Sequence, residues 1–238
     1  MKVIEVLYPE FSNIYAELYN IEYLKECNKN IKVIYTSYNE EPYFLKHKVD
    51  MVYMGSMPDS KIIPTIDNLK KYKKKIKEMI EEEKIFLITG NALEIFSSSI
   101  KTNQTQAKGL EIFKYNIEKD LNNKHASWFL GDFKNIQIVG HRNQFSKCYN
   151  IKNNFIKVKG GFGSDLNSTF EGINYKNFYA TYLLGPFLIL NPYFTKYLLN
   201  LLNLPDKLAY EKEIIEAYNL RIKHFNQEGA RFIMGQHG

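Results

Sequence analysis

Hydrophobic positions in the first half of the chain fall into short runs of β type separated by stretches with a helical period. Lys2 to Leu7 alternates apolar and polar residues and predicts a strand, whereas Phe11 to Cys27 places Ile14, Leu18, Ile21 and Leu24 on one face and predicts a helix. Ile31 to Thr36 reads as a second strand and Asp50 to Met54 as a third, bounded by Gly55 and Ser56. A long helix is expected from Ser60 or Ile66 to Glu83. It leads into Ile85-Phe86-Leu87-Ile88-Thr89, a run without alternation, as a strand has when helices cover both its faces. Gly90 ends that run, and Asn91 to Phe96 has the composition of the first turns of another helix. Strands alternating with helices in this order predict an α/β, three-layer architecture: a mostly parallel central sheet of the flavodoxin-like type with flanking helices.

The second half changes character. Leu110 to Tyr115, Asn135 to Val139, Asn154 to Val158 and Phe178 to Tyr182 are short β-type runs separated by Gly, Asn and Ser clusters such as Gly160-Gly161-Phe162-Gly163-Ser164. They predict extra strands, partly antiparallel, added to the first half. Pro192 to Leu204 and Pro205 to Phe225 read as helices, followed by a polar tail. With no internal repeat, low-complexity linker or composition shift, residues 1–238 are expected to form one domain.

Composition narrows the class only a little. No run of about eighteen apolar residues is present, so no membrane span is expected. The opening strand carries Glu5 and is followed by no small-residue cleavage site, which predicts a cytoplasmic protein. The formal charge of +6 reflects a lysine excess whose densest run is Lys70 to Lys77. Glu78, Glu81, Glu82 and Glu83 follow directly, and Lys74–Glu78 and Lys77–Glu81 have the spacing of helical ion pairs, so this is a solvated helix face and no nucleic-acid partner is expected. The two cysteines, Cys27 and Cys148, are expected to be reduced and structural. The five histidines, His47, His125, His141, His224 and His237, show no helical metal spacing, so no metal or cofactor is expected. Gly160-Gly161-Phe162-Gly163 lacks the spacing of a phosphate loop and reads as a turn. The 18 tyrosines and 16 phenylalanines are read as core and interface packing.

The candidate chemistry lies at Ile85-Phe86-Leu87-Ile88-Thr89-Gly90-Asn91-Ala92-Leu93-Glu94. A buried strand that turns sharply into a helix presents its turn residue at the carboxyl edge of the sheet, beside free backbone N–H groups. Enzymes place a nucleophilic Ser or Cys there because this geometry lowers a thiol pKa and builds an oxyanion hole. Here the turn residue is Gly90, which has no side chain to attack with.

Over nearly its whole length the chain resembles the class I glutamine amidotransferases of the cobyric acid synthase (CobB/CobQ) branch, and within it the GatD-type glutaminase subunits. Leu7-Tyr8-Pro9-Glu10-Phe11-Ser12-Asn13-Ile14-Tyr15 resembles the family's opening strand and the start of its first helix, with Asn20 matching a later Asn. Met54-Gly55-Ser56-Met57-Pro58-Asp59 falls on its Gly-rich loop after the third strand, and Gly90-Asn91-Ala92-Leu93-Glu94 on the elbow Cys-Gly-Gly-Tyr-Gln. Ile138-Val139-Gly140-His141-Arg142-Asn143 falls on a Gly-Phe-Glu-Asn stretch. Glu171-Gly172, Thr181-Tyr182-Leu183-Leu184-Gly185-Pro186 and Asn191-Pro192 resemble Glu-Gly, Thr-Tyr-Leu-His-Gly-Pro and Asn-Pro. The resemblance implies an amidotransferase fold and, by the known pairing of GatD-type subunits, a Mur-ligase-like protein partner that amidates the glutamate of lipid II.

It also marks what is missing. The family's cysteine falls on Gly90, its histidine on Leu184, the acid two residues later on Pro186, and the elbow glutamine on Glu94. Without a thiolate to form the glutamyl thioester and an imidazole to manage its protons, glutamine hydrolysis is expected to be absent, because such residues act as a unit. Gly55, Ser56, Gly90, Asn91, Glu94, His141 and Leu184, with Thr89, are expected to line a vestigial pocket able to admit a small polar ligand. Two alternatives stay open at this point. One is an enzyme of different chemistry using Asn91, Glu94, His141 or Glu171; the other is a glutaminase whose nucleophile is Cys27 or Cys148.

Overall fold

A computed structural model describes residues 1–227 and 229–237. In chain order its elements are β1 (Lys2–Leu7), α1 (Tyr19–Cys27), β2 (Ile31–Thr36), β3 (Met51–Met54), α2 (Asp59–Leu69), α3 (Lys73–Glu81) and β4 (Ile85–Thr89). There follow seven short or medium strands: β5 (Ser99–Lys101), β6 (Gln106–Lys108), β7 (Asn116–Lys119), β8 (Lys124–Phe133), β9 (Ile136–Gln144), β10 (Ser146–Tyr149) and β11 (Asn154–Gly160). The chain closes with β12 (Phe170–Tyr175), β13 (Phe178–Thr181), α4 (Phe187–Leu190), α5 (Pro192–Leu201), α6 (Glu211–Phe225) and β14 (Ile233–His237).

The main sheet runs β14-β8-β11-β12-β13-β4-β3-β1-β2, with β9 on β8. Its half from β2 to β13 is parallel, and β12, β11, β8, β9 and β14 are antiparallel. A separate four-stranded sheet is ordered β10-β7-β5-β6. Helices lie on both faces of the parallel half, so one apolar cluster joins α2 and α3 to the sheet (Ile66, Leu69, Met79, Phe86, Ile88) and a second joins α1 and α5 (Ile4, Ile21, Leu24, Leu87, Leu198). The α/β architecture with a mostly parallel centre and added antiparallel strands is as the sequence implies. No helix of the described residues is long and apolar enough to cross a membrane.

The departures have local causes. Residues 11–18 are turns, not helix: Ser12 Oγ donates to the Leu7 carbonyl (2.9 Å), Asn13 Oδ1 accepts from Leu18 N (3.0 Å), and Ala16 takes φ +56°. Side chains that bond the backbone this way compete with helix hydrogen bonds, so the helix starts only at Tyr19. The expected long helix is broken by a 3₁₀ turn at Lys70–Tyr72 that buries both Leu69 and Tyr72. Lys74 meets Glu78 at 3.9 Å as expected, but Glu81 is taken by Lys176 (2.8 Å) rather than by Lys77. Leu110 to Tyr115 is not a strand either. Its N–H groups at Leu110, Glu111 and Phe113 donate to Ile95, Ser97 and Phe96, the end of a 3₁₀ helix, and Glu111 adopts φ +52°. The segment after the last helix, read as a polar tail, adds β14 to β8.

Candidate functional site

At the carboxyl end of β4 every residue is buried, and the backbone passes from extended Thr89 to Gly90 at φ +60° before a 3₁₀ helix over Gly90–Phe96. Where a full helix was expected after the turn, only this tighter helix forms. A Cβ placed on Gly90 would stand 1.5 Å from Ser56 Oγ and 2.8 Å from Ser56 Cβ. Ser56 follows β3, is 2% exposed, and its hydroxyl makes no hydrogen bond of good geometry among the described residues, its near neighbour being the Glu17 carboxyl. The space into which a side chain at position 90 would project is filled by the neighbouring loop.

Asn91 fixes that loop. Its Oδ1 accepts from Met57 N (2.9 Å) and its Nδ2 donates to Met57 O (2.8 Å), a side-chain imitation of a strand pairing. One turn further on, Glu94 is fully buried and bonded to Lys119 Nζ at 2.6 Å, and the same ammonium reaches Asp59 at 2.5 Å. Burial alone would discharge Lys119, but Glu94 and Asp59 hold its pKa above the ordinary lysine value. Lys119 belongs to β7, so this ionic triad ties the small sheet to the first residue of α2 and to the elbow.

Beneath the elbow lies a second buried network centred on Glu17. Its Oε2 accepts from Thr89 Oγ1 (2.5 Å) and lies 3.0 Å from the Tyr53 hydroxyl; its Oε1 accepts from Gly185 N (3.2 Å). Tyr53 in turn accepts from Asn20 Nδ2 (2.8 Å), whose Oδ1 receives Leu188 N (2.7 Å). Burial pushes the Glu17 carboxyl above the usual carboxylate range, against the pull of these donors. Other segments quoted for the family resemblance also do structural work. Glu171 accepts from Thr181 Oγ1 (2.6 Å) and Tyr182 N (2.7 Å), and Asn191 brackets Val139 with bonds of 2.8 and 2.9 Å.

The structure thus brings Ser56 against Gly90 and Asn91 onto Met57, sets Gly55 against Ser12 and Glu17, and holds Glu94 in a buried ion pair with Lys119. Leu184 is 3% exposed and donates its N–H to the His141 carbonyl (3.1 Å). His141 is part of β9, not a loop residue following a strand, and its ring packs edge-on against Trp128 (6.0 Å between centroids). Of the residues expected to line a pocket, only Asn91 lines the neighbouring cleft, a cavity of about 150 Å³ between Tyr15, Asp59, Asn91, Lys124, Asn143 and Tyr182; Gly55, Ser56, Thr89, Gly90, Glu94, His141 and Leu184 are not part of its wall. Neither thiol is set up as a nucleophile. Cys27 Sγ accepts from Ala209 N (3.3 Å), Cys148 is buried in the small sheet, and burial raises the pKa of both. Among the described residues no group of His, Cys, Asp and Glu is arranged to hold a metal.

Three participants are invisible in the residue pattern. Glu17 lies in a stretch with a helical period, where a lone carboxylate among Ile14, Leu18 and Ile21 names no partner, Tyr53 looks like one more apolar strand position, and Lys119 sits in an undistinguished polar run. Nothing short of the fold brings them to the elbow.

The comparisons agree with this architecture. A family model described as the CobB/CobQ-like glutamine amidotransferase domain matches residues 2–191. The lipid II isoglutaminyl synthase (glutamine-hydrolyzing) subunit GatD of Staphylococcus aureus strain N315 is 30% identical over 190 residues, covering 79% of this chain and 78% of that protein. Among solved structures, a glutamine amidotransferase from Thermotoga maritima is similar with a TM-score of 0.51 at 11% identity, covering 94% of this chain and 92% of its own. A second glutamine amidotransferase has a TM-score of 0.56 at 10% identity, covering 84% and 99%; at these identities the likeness is one of fold. With the left-handed elbow, the loop pressed against it and the match over residues 2–191 together, the chain belongs to the CobB/CobQ-like glutamine amidotransferase family.

Proposed function

We propose that this chain is a glutaminase-type subunit that no longer hydrolyses glutamine and acts in the cytoplasm as a structural or regulatory partner of a Mur-ligase-like amidating enzyme. The observation that carries the reading is Ser56 Oγ, 1.5 Å from where a Cβ on Gly90 would lie. On the motif resemblance Gly90 falls on the family's nucleophile position and Leu184 on its histidine position, a reading in which neither the thioester nor its proton transfers have a residue to perform them. Glu94 and Glu171, the carboxylates nearest in sequence to those positions, are fully buried and already engaged by Lys119 and by Thr181 and Tyr182. The partner half of the proposal rests on the 30% identical relative, which is named as a subunit of lipid II isoglutaminyl synthase.

The test is glutamate release from glutamine by the purified chain, alone and with whatever protein co-purifies from its native cells. No release above the buffer rate is expected in either case, and an ATP-dependent ligase is expected in the captured fraction. Turnover that disappears on alkylating Cys27 or Cys148 would overturn the loss of activity; capture without any ligase would overturn the partnership. A second reading, a small polar ligand in the cleft, is favoured by Asp59, Lys124 and Asn143 surrounding one cavity. Equilibrium dialysis against glutamine and glutamate tests it, with retention of neither as the result that removes it.

A further inference from the structure

We propose a binding site for a small phosphorylated ligand at the amino edge of the sheet, opposite the elbow. A cavity of about 380 Å³ opens between the turn that leads into β3, the side of α3 and the turn that leads into β4. Lys46, His47, Lys48, Lys75 and Lys84 line it against a single carboxylate, Glu82, over a floor that includes buried Phe44 and Met79. Lys46 is paired with Glu41 at 2.7 Å. Lys48, Lys75 and Lys84 have no ion-pair partner among the described residues, and Lys75 and Lys84 are only half exposed. The carboxyl end of α3 and Glu82 answer part of this positive charge, since a helix carboxyl terminus favours cations. The remainder lines one cavity, is half-buried at Lys75 and Lys84 and is unmatched among the described residues, which is the field that a dianion or pyrophosphate complements. The backbone N–H groups of Lys48 and Val49 are also engaged by no carbonyl or side chain of the described residues. His47 lies flat on Tyr43, with centroids 4.1 Å apart and planes 20° apart, giving the rim an aromatic platform. The site is separate from the elbow and stands whether or not glutaminase chemistry has been lost.

Isothermal titration of the full chain with pyrophosphate, at about 150 mM salt to screen diffuse attraction, tests the assignment. Saturable single-site binding is expected, weakened roughly tenfold or more in a Lys75→Gln/Lys84→Gln variant and by about twofold at most in Lys70→Gln/Lys71→Gln/Lys74→Gln, which alters lysines outside the cavity. In the unaltered chain, pyrophosphate should shift the amide resonances of Lys48 and Lys84 before those of the exposed lysine run. That readout does not depend on any variant folding. Tighter binding of ADP than of pyrophosphate, lost in His47→Ala, would assign a nucleotide whose base stacks on the rim, whereas equal affinities assign the phosphate groups alone. Binding that never saturates, equal weakening in both lysine variants, or no shift at Lys48 and Lys84 overturns the proposal.

Discussion

Ser56 Oγ stands 1.5 Å from the point where a Cβ on Gly90 would lie, and turning the hydroxyl away still leaves the two β-carbons 2.8 Å apart. Position 90 also needs φ +60°, which a residue with a Cβ adopts only under strain. Placing a cysteine there alone is therefore a structural insult. Gly90→Cys should lower the unfolding free energy by ~2–4 kcal/mol, from backbone strain and overpacking together. Adding Ser56→Gly should recover part of that loss in urea unfolding. Neither variant should release glutamate from glutamine, because Leu184 still supplies no base.

Lys119 is the cation on which Glu94 depends. Its side chain is 6% exposed and that of Glu94 is 0% exposed, so removing the ammonium strands a buried carboxylate. Lys119→Met should cost ~3–5 kcal/mol of stability by chemical unfolding. Glu94→Gln in the same chain should return much of it, since a neutral amide is far cheaper to bury. If Lys119→Met unfolds at the same urea concentration as the parent, the triad is not a structural tie.

Asn91 holds Met57 by both ends of its amide. Asn91→Ala should cost ~1–3 kcal/mol through two lost hydrogen bonds at a partly buried backbone. Hydrogen exchange at Met57 N–H should accelerate well beyond that at Tyr53 N–H, which sits in the middle of the sheet. Equal acceleration at both would mean a global loss and not release of the loop.

Burial raises the carboxyl pKa of Glu5, Glu17 and Glu171 above the ordinary value of 4.5. A raised carboxyl holds its proton more tightly in the folded chain than in the unfolded one. Its contribution is thus complete below the ordinary carboxyl range and is lost as pH rises through the folded values. Burial lowers the pKa of His125 and His141 and acts in the opposite direction as pH rises, so the contribution of Glu17 is read as a difference. From mildly acidic to mildly alkaline buffer the melting temperature of the parent should fall relative to that of Glu17→Gln, and parallel profiles would contradict this.

What the residue pattern revealed depended on whether apolar contrast tracked the fold. The strands β1 to β4 were legible because nearly all their inward positions are apolar, and the turn at Gly90 because it ends an unbroken apolar run. The strand β8 was hidden because its first inward positions are His125 and Ser127, which erase the alternation. Residues 11–18 were misread because Ile14 and Leu18 keep a helical period, although Ile14 is 48% exposed and the segment is held by Ser12 and Asn13. The elbow and its loop could be located from motifs, but the carboxylate of Glu17 and the ammonium of Lys119 could not. A buried charge leaves no periodic trace, and its partners come from segments far away in the chain.

The bonds at Glu17 reach across 168 residues, joining the first loop, β3, the end of β4 and Gly185 through one carboxyl group. A change at any of these positions would be felt first as misfolding, before any question of turnover arises. Sequence constancy around this crossing point in relatives of the chain would accordingly testify to the demands of folding, whatever reaction the cleft above it supports.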